Sequence, residues 1–292
     1  MMDKGTIKIK FANGFGNNLF RYCFGRLLSE YHNLNFSHPA IPELGIKEEK
    51  YSFNKKMETI EFKADNNIEA KKFDVDHHKY FKKEMGNRNY DFSKFVFYFE
   101  DYTLYKYHLN KIRSWFPVID KKKNSNLVIH LRLENRIIQK THFKNIVDPS
   151  IYKKIILHNF NFNKLYIVTD SNEWGYVTEK DIKKLQKKYI TEGTSYVSIK
   201  KSIKYMNNLV DVFEEFHPII KHSYNFIDDF NFICSFDQIL FKNSTFAWWA
   251  AVLGEGKRVG VYGPWKPNKG KRNKNLGETD FPGWFQWGFL ND

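Results

Sequence analysis

Short apolar runs alternate with amphipathic helical patterns along this chain, and this alternation constrains the fold more than any other feature of the sequence. Runs of strand length occupy residues 127–131, 165–168, 195–199 and 258–262, and residues 177–190 carry apolar side chains at helical spacing. Strands separated by helices pair in parallel and are covered on both faces of their sheet. The sequence therefore predicts an α/β fold built on parallel sheets.

The N-terminal segment predicts one more strand, followed by a glycine turn and a helix. Residues 6–12 have a strand pattern, residues 13–17 form the turn, and apolar residues at helical spacing follow. Gly14 and Gly16 let the backbone turn sharply and approach a ligand closely. The N–H groups that open the next helix suit a diphosphate. A purely structural turn explains the same residues equally well.

The length of 292 residues is enough for two domains. The charged, polar stretch 120–126 lies between a lysine-rich, aromatic segment and the strand at 127–131, and it is the best candidate for a linker. We therefore predict domains at 1–123 and 124–292.

The cysteine content, the hydropathy and the net charge of the chain limit the classes of protein to which it can belong. The cysteines Cys23 and Cys234 lie in apolar stretches, which is typical of buried thiols outside any disulfide. No leader-like start and no apolar run of about 18 residues is present, so we expect a cytoplasmic protein. The net charge of +14, interleaved with aromatic residues in 78–111, keeps a basic nucleic-acid or anionic-glycan binding protein as an alternative. The lysines are scattered, which favours solvated surface instead.

Polar side chains follow the predicted strands at the edge where ligands bind in parallel sheets. His130 lies in the strand at 127–131 and Arg132 follows it. Asp170 follows the next strand, where its carboxylate can accept a hydrogen bond from a ribose or a base. A structural histidine, a surface arginine and a helix-capping aspartate are the alternatives.

The segment before the last apolar helix combines an amide, two hydroxyls and an aromatic ring, contributed by Asn243, Ser244, Thr245 and Phe246. Small polar residues at a helix start can hydrogen-bond phosphate oxygens. Trp248 and Trp249 run directly into alanine and leucine, so we predict that they belong to the core.

A second polar cluster has two interpretations, a metal site and a chance pattern, and the metal site is the weaker one. Asp74 and Asp76 are followed by His77 and His78, and paired acids hold a divalent cation in many sugar transferases. Such three-residue patterns arise often by chance, and lysines flank this one. We therefore predict no metal, with a metal-dependent transferase as an alternative.

Four segments, taken in order, resemble the α-1,2-fucosyltransferase family and its GT-B fucosyltransferase relatives. Gly14-Phe15-Gly16-Asn17-Asn18-Leu19-Phe20 with Tyr22, Phe24 and Gly25 is similar to the family's G-x-G-N-Q-x-F-Q-Y-A-F-G. His130-Leu131-Arg132 is similar to the start of H-x-R-R-x-D, and Tyr166 to Asp170 with Glu173-Trp174 to the family's strand and E-W. Asp229 to Trp249 is similar to D-x-x-L-M-S-x-C-(x)6-N-S-S/T-F-S-W-W.

The resemblance implies a GT-B-type fold of two Rossmann-like domains facing a central cleft, with the acceptor side first and the donor domain second. It implies an inverting, metal-independent transfer of fucose from GDP-fucose, a co-substrate, to a glycan acceptor, without a prosthetic group. Arg132 would contact the β-phosphate, His130 the ribose and Asp170 the nucleoside. The phosphates would be held by Asn17, Ser244 and Thr245. The remaining residues expected to bind the nucleotide sugar are Gly14, Gly16, Asn243 and Phe246.

This chain departs from the family pattern at three positions. Leu133 replaces the second arginine, Asn135 replaces the closing acid, and Asn18 replaces a glutamine. Another deoxysugar, such as rhamnose on a UDP or GDP donor, therefore stays an alternative. Asn135 cannot act as a general base, and Glu134 is the nearest carboxylate in sequence.

Overall fold

The computed structural model describes residues 4–12, 14–62, 86–94, 99, 105–116, 124–144, 146–170, 174–221, 225–242, 244–262 and 283–287. Within these ranges the chain forms two compact units. The first contains the described residues up to Phe116, and the second contains those from Asn124 onward. The predicted division at residue 123 stays a prediction, because residues 117–123 lie outside these ranges.

The first unit contains a four-stranded parallel sheet. Its strands are β1 (Thr6–Lys8), β2 (Asn35–Ser37), β3 (Thr59–Glu61) and β4 (Asn89–Asp91). Their spatial order is β2, β1, β4, β3, and every pairing is parallel. The helices of this unit are Phe15–His32, Leu109–Ser114 and the short 3-10 helix Pro42–Leu44.

Aromatic packing forms the core of the first unit. Phe24 stacks on Phe99 with ring centroids 4.0 Å apart. Gly25 lets the helix Phe15–His32 approach β2, because a Cβ at this position would lie 2.4 Å from the Phe36 ring. This glycine of the family-like motif therefore has a packing role.

Two N-terminal boundaries differ from the prediction. β1 ends at Lys8 and not at residue 12. The helix already begins at Phe15, so Gly16 and Asn17 lie in its first turn and not in the preceding loop. The Asn18 side chain fixes this early start, because its Oδ1 accepts a hydrogen bond from the Ala12 N–H at 2.9 Å.

The second unit contains a six-stranded parallel sheet. Its strands are β5 (Asn124–Leu131), β6 (Leu165–Thr169), β7 (Ile219–Lys221), β8 (Phe236–Lys242), β9 (Arg258–Tyr262) and β10 (Trp284–Trp287). The spatial order is β7, β6, β5, β8, β9, β10, and all pairings are parallel. This is the strand order of dinucleotide-binding sheets, which reverses between β5 and β8. The α/β prediction with parallel sheets is confirmed in both units.

Helices bury both faces of the second sheet. They are Glu134–Ile138, Lys140–Phe143, Pro149–Asn159, Glu179–Lys188, Ile199–Glu214, Phe226–Cys234 and Thr245–Leu253. One face of the sheet presents Ile129, Leu131 and Leu240 to a cluster that includes Leu185 and Phe213. Full burial of such side chains contributes roughly 1.5–3 kcal/mol each.

Most predicted elements of the second unit are confirmed, and one is wrong. Residues 127–131, 165–168 and 258–262 lie in strands, and 177–190 contains the helix Glu179–Lys188. Residues 195–199 form no strand. Only Tyr196 makes an isolated bridge, to Gln139, and the helix Ile199–Glu214 begins directly afterwards.

The cysteine prediction is confirmed, since Cys23 and Cys234 are buried and neither forms a disulfide. No helix in the described ranges is both long and apolar enough to cross a membrane.

Candidate functional site

The reversal of strand order between β5 and β8 defines the candidate site. Ligands of open parallel sheets bind beyond the carboxyl ends of the strands at such a switch point. His130 pairs with Phe241 across these two strands, so the segments that follow β5 and β8 leave the sheet side by side. Of the predicted residues, Arg132 follows the end of β5 directly and Ser244 comes two residues after the end of β8. The topology therefore brings together two segments that are more than a hundred residues apart in sequence.

His130 is a buried, neutral imidazole at this site. Its side chain faces the helix Thr245–Leu253, and its ring centroid lies 5.6 Å from that of Phe246. Burial, with a smaller effect of Arg132, lowers the pKa of His130 to about 3. Its Nδ1 has no hydrogen-bond partner among the described residues. A buried polar atom without a partner is costly, and a ligand hydroxyl can satisfy it.

Asp170 organises the loop that follows β5. Its Oδ1 accepts hydrogen bonds from the N–H groups of Leu133 at 2.7 Å and Glu134 at 3.3 Å. Its Oδ2 lies 3.8 Å from Nε of Arg132. Asp170 therefore caps the start of the helix Glu134–Ile138, which follows β5. The sequence had suggested that it caps the next helix along the chain.

The carboxylate and guanidinium of this pair stay partly accessible. The side chain of Arg132 is 50% exposed and that of Asp170 is 33% exposed. Burial raises the pKa of Asp170, and the two backbone hydrogen bonds and Arg132 oppose this rise. With two N–H donors and a cation beside a carboxylate that still meets water, we take Asp170 as ionised at neutral pH.

Ser244 begins the helix that follows β8. Its Oγ accepts a hydrogen bond from the Ala247 N–H at 3.2 Å, which makes it the N-cap. This nine-residue helix directs its positive end to the carboxyl edge of the sheet, where Thr245 and Phe246 form its first turn. Trp248 and Trp249 are fully buried, which confirms their prediction as core residues.

Sequence reasoning missed two cations at the site. Arg136 follows Arg132 by four residues, and its Nη1 lies 2.9 Å from Nδ1 of His142. Lys242 is the last residue of β8. Burial and the charge of Arg136 lower the pKa of Lys242 to about 7. The signals were available, since Lys242 ends an apolar run next to a polar motif and Arg136 has the spacing of one helical turn.

Glu134, the carboxylate nearest to Arg132 in sequence, is already paired. Its Oε1 accepts a hydrogen bond from Nζ of Lys188 at 2.7 Å, and the residue is buried. A buried carboxylate that is paired with an ammonium group is explained by a structural role as an ion pair. Its assignment as a base gains no support.

The glycine loop lies in the first unit. Gly14 precedes the helix with φ 94°, and the nearest described atoms that a Cβ there would meet belong to the Asn17 side chain, at 3.5 Å. Its carbonyl accepts a hydrogen bond from the Asn18 N–H at 3.1 Å. The loop is thus an open, left-handed turn, and Gly16 is buried in the helix behind it.

Some predicted residues lie outside the described ranges, namely Asn243, Asp74, Asp76, His77 and His78. Among the residues that the structure describes, no group of three or more histidine, cysteine, aspartate or glutamate side chains could hold a metal ion.

Comparison with known proteins yields distant likenesses of structure only. No protein-family model and no curated protein sequence matches the chain. Among solved structures, the chain is similar to a mutant of Arabidopsis thaliana FUT1 in complex with GDP. The sequence identity is 10%, the match covers 90% of this chain and 72% of that chain, and the TM-score is 0.45. Functional assignment therefore depends on the residues of the chain itself.

Proposed function

We propose that this chain is an inverting glycosyltransferase that needs no metal and transfers fucose from GDP-fucose to a glycan acceptor. The observation that carries the proposal is the cationic edge at the switch point, where Arg132 follows β5, Lys242 ends β8 and Arg136 lies in the helix after β5. Such a position suits a nucleotide, and such a charge suits its diphosphate.

The hard step of this reaction is the departure of the diphosphate. The acceptor oxygen forms a bond to the anomeric carbon, and the bond from that carbon to the β-phosphate oxygen breaks. The electron pair stays on the diphosphate, and the hydroxyl proton passes to solvent or to the leaving group. Arg132 stabilises the charge that develops on the leaving oxygen, and this contact strengthens toward the transition state.

Each remaining residue has a role suited to its surroundings. Neutral His130 can form a hydrogen bond with a ribose hydroxyl, because both groups are uncharged. Asp170 holds Arg132 in place and can still accept a hydrogen bond from the nucleoside through its accessible oxygen. The start of the helix Thr245–Leu253, together with Asn243 and Ser244, suits a phosphate oxygen.

As a separate proposal, which rests on its motif, we assign phosphate binding to the glycine loop of the first unit. Gly14 leaves room for close approach by a ligand, and Asn17 offers an amide in the first helical turn. This assignment depends on the motif, and variants at these positions test it independently of the sheet edge.

The decisive experiment is a binding panel followed by a transfer assay. Isothermal titration with GDP, UDP, GMP and single-stranded nucleic acid tests the nucleotide class, and hydrolysis or transfer from GDP-fucose and from UDP- and GDP-linked rhamnose tests the sugar. We expect GDP binding and turnover of a GDP-sugar that persists with a chelator. Salt-sensitive nucleic-acid binding without any turnover would overturn the proposal in favour of a binding protein.

A further inference from the structure

We propose that Lys242 and Arg136 together contact the second phosphate of the donor diphosphate, a role that rests on the proposed function, in a chain where Leu133 stands in place of the second arginine of the family-like motif. Arg132 alone offers one guanidinium to a group that carries two phosphates. The geometry around β5 and β8 supplies the missing charge from two other segments.

Position 133 cannot supply that charge. Leu133 is 3% exposed and belongs to the same hydrophobic cluster as Ile137 and Ile138. Its backbone N–H is bonded to Asp170 at 2.7 Å. A cation at this position would enter the apolar core, so the fold of this chain excludes an arginine side chain from the place the motif gives it.

The side chain of Arg136 is oriented by its neighbour His142. Its Nη1 donates to Nδ1 of His142 at 2.9 Å, which requires a His142 ring that is neutral and accepts at this nitrogen. Burial, followed by the charges of Arg136 and Arg132, lowers the pKa of His142 and thus favours that neutral ring. His142 therefore orients the guanidinium without neutralising its charge.

Lys242 reaches the same side of the sheet. Side chains alternate along a strand, so Lys242 shares a face with Leu240 and lies opposite to Phe241. Leu240 belongs to the cluster that contains Leu133 and Ile137. The stem of Lys242 therefore extends toward the helix Glu134–Ile138, which carries Arg136. Burial, followed by the charge of this guanidinium, lowers the pKa of Lys242.

Two acidic side chains of the described segments near these cations are already engaged. Glu134 is paired with Lys188, and Asp170 is bonded to two backbone N–H groups and lies beside Arg132. Like charges held close together in a partly buried place destabilise the unliganded protein. A diphosphate relieves that repulsion more than a monophosphate does, so the cluster favours the more highly charged ligand.

The test compares the affinity of the full-length protein for GDP and GMP by isothermal titration. We expect that Lys242→Met and Arg136→Met each weaken GDP binding about 10- to 100-fold, the range for losing a hydrogen bond to a charged group. GMP binding should change much less. Lys242→Arg should restore the GDP preference, because it returns a cation to the same strand end. Lys164→Met, at the amino edge of the same sheet, removes one charge as a matched control.

The outcomes separate this inference from the proposed function. If wild-type protein binds neither GDP nor GMP, the proposed function fails. If wild-type protein prefers GDP and both methionine variants keep that preference, only the assignment of Lys242 and Arg136 is overturned. Thermal unfolding of the unliganded variants identifies loss of fold, and binding by Lys242→Arg then decides the question.

Discussion

Oδ2 of Asp170 lies 3.8 Å from Nε of Arg132, while Oδ1 of the same carboxylate accepts two backbone N–H bonds from the loop that carries this arginine. One side chain thus fixes both the loop and the direction of the guanidinium. The pair is partly solvated, so its attraction contributes little to stability. Its value lies in orienting Arg132, which makes no hydrogen bond shorter than 3.5 Å to the described part of the chain and is accessible to a ligand.

Replacement of Arg132 tests the leaving-group assignment directly. Arg132→Ala should lower kcat about 100- to 1,000-fold, because it removes a contact that is strongest in the transition state. Thermal unfolding should change little, since the side chain is half exposed. Steady-state transfer assays measure this loss against Lys164→Met, and near-normal turnover in Arg132→Ala would refute the assignment.

Replacement of Asp170 separates loop support from charge. Asp170→Asn retains an acceptor for the N–H groups of Leu133 and Glu134, whereas Asp170→Ala removes it. We expect the alanine variant to lose about 1 kcal/mol more unfolding free energy than the asparagine variant. Both should lower kcat by less than Arg132→Ala does. Urea denaturation and transfer assays measure the two effects, and equal stability of the variants would contradict the role in the loop.

Lys242 predicts a pH dependence of GDP binding. Its pKa in the unliganded protein is about 7, and a bound anion favours its protonated form, so affinity should fall as pH rises above 7. Burial lowers the pKa of His142 and of His130, so both rings contribute little in this range, and guanidinium groups do not lose their proton in proteins. Burial raises the pKa of Asp170, and its two backbone N–H bonds oppose this rise. Titrations between pH 7 and 9 should show the fall in wild type and a flat profile in Lys242→Arg.

The same group predicts the opposite trend for stability without ligand. The unfolded chain binds a proton at Lys242 up to its ordinary pKa of 10.5, whereas the folded protein releases it above about 7. The unfolded state therefore binds more protons in this window, so the unfolding free energy rises with pH between these values. The difference between wild type and Lys242→Met in urea titrations isolates this contribution, and a difference independent of pH would contradict it.

The sequence indicated the skeleton of the site because its signals are local. The apolar run 127–131, the helix pattern at 177–190 and the hydroxyl before the helix Thr245–Leu253 depend on neighbouring residues, and the structure contains all three elements. The failures came from contacts distant in sequence. Residues 195–199 have strand composition, but the only bridge that forms there is to Gln139, so a helix follows instead.

The failure to identify Lys242 and Arg136 from the sequence has the same explanation. Nothing in the sequence around Lys242 states that β8 lies beside β5, and the topological switch alone makes this lysine a neighbour of the loop after Leu131. Arg136 could be placed on a helix from its spacing, but its partner His142 lies in the next short helix, beyond Gln139. Tertiary topology, not residue type, brings these groups together.

Two glycines of the N-terminal motif should respond differently to alanine. Gly14→Ala introduces strain at φ 94°, and the nearest described atoms that its Cβ would meet belong to the Asn17 side chain, at 3.5 Å, so we expect about 1–3 kcal/mol of destabilisation. Gly25→Ala places a Cβ 2.4 Å from the Phe36 ring, with a similar cost from overpacking. Gly14→Ala should also weaken GDP binding in protein that remains folded, whereas Gly25→Ala should not. Equal affinity of the two variants for GDP would count against the glycine loop as a donor site.

His130 provides the sharpest test of the nucleoside side of the site. Its Nδ1 is buried without a hydrogen-bond partner among the described residues, and the ring contacts Phe246. His130→Phe retains the ring and removes the buried polar atom, so the unfolding free energy should stay level or rise. GDP binding should weaken up to about 10-fold through loss of a neutral hydrogen bond, whereas pyrophosphate, which has no ribose, should bind as before. Parallel titrations with GDP and pyrophosphate measure this contrast, and an equal loss for both ligands would assign His130 to the phosphates instead.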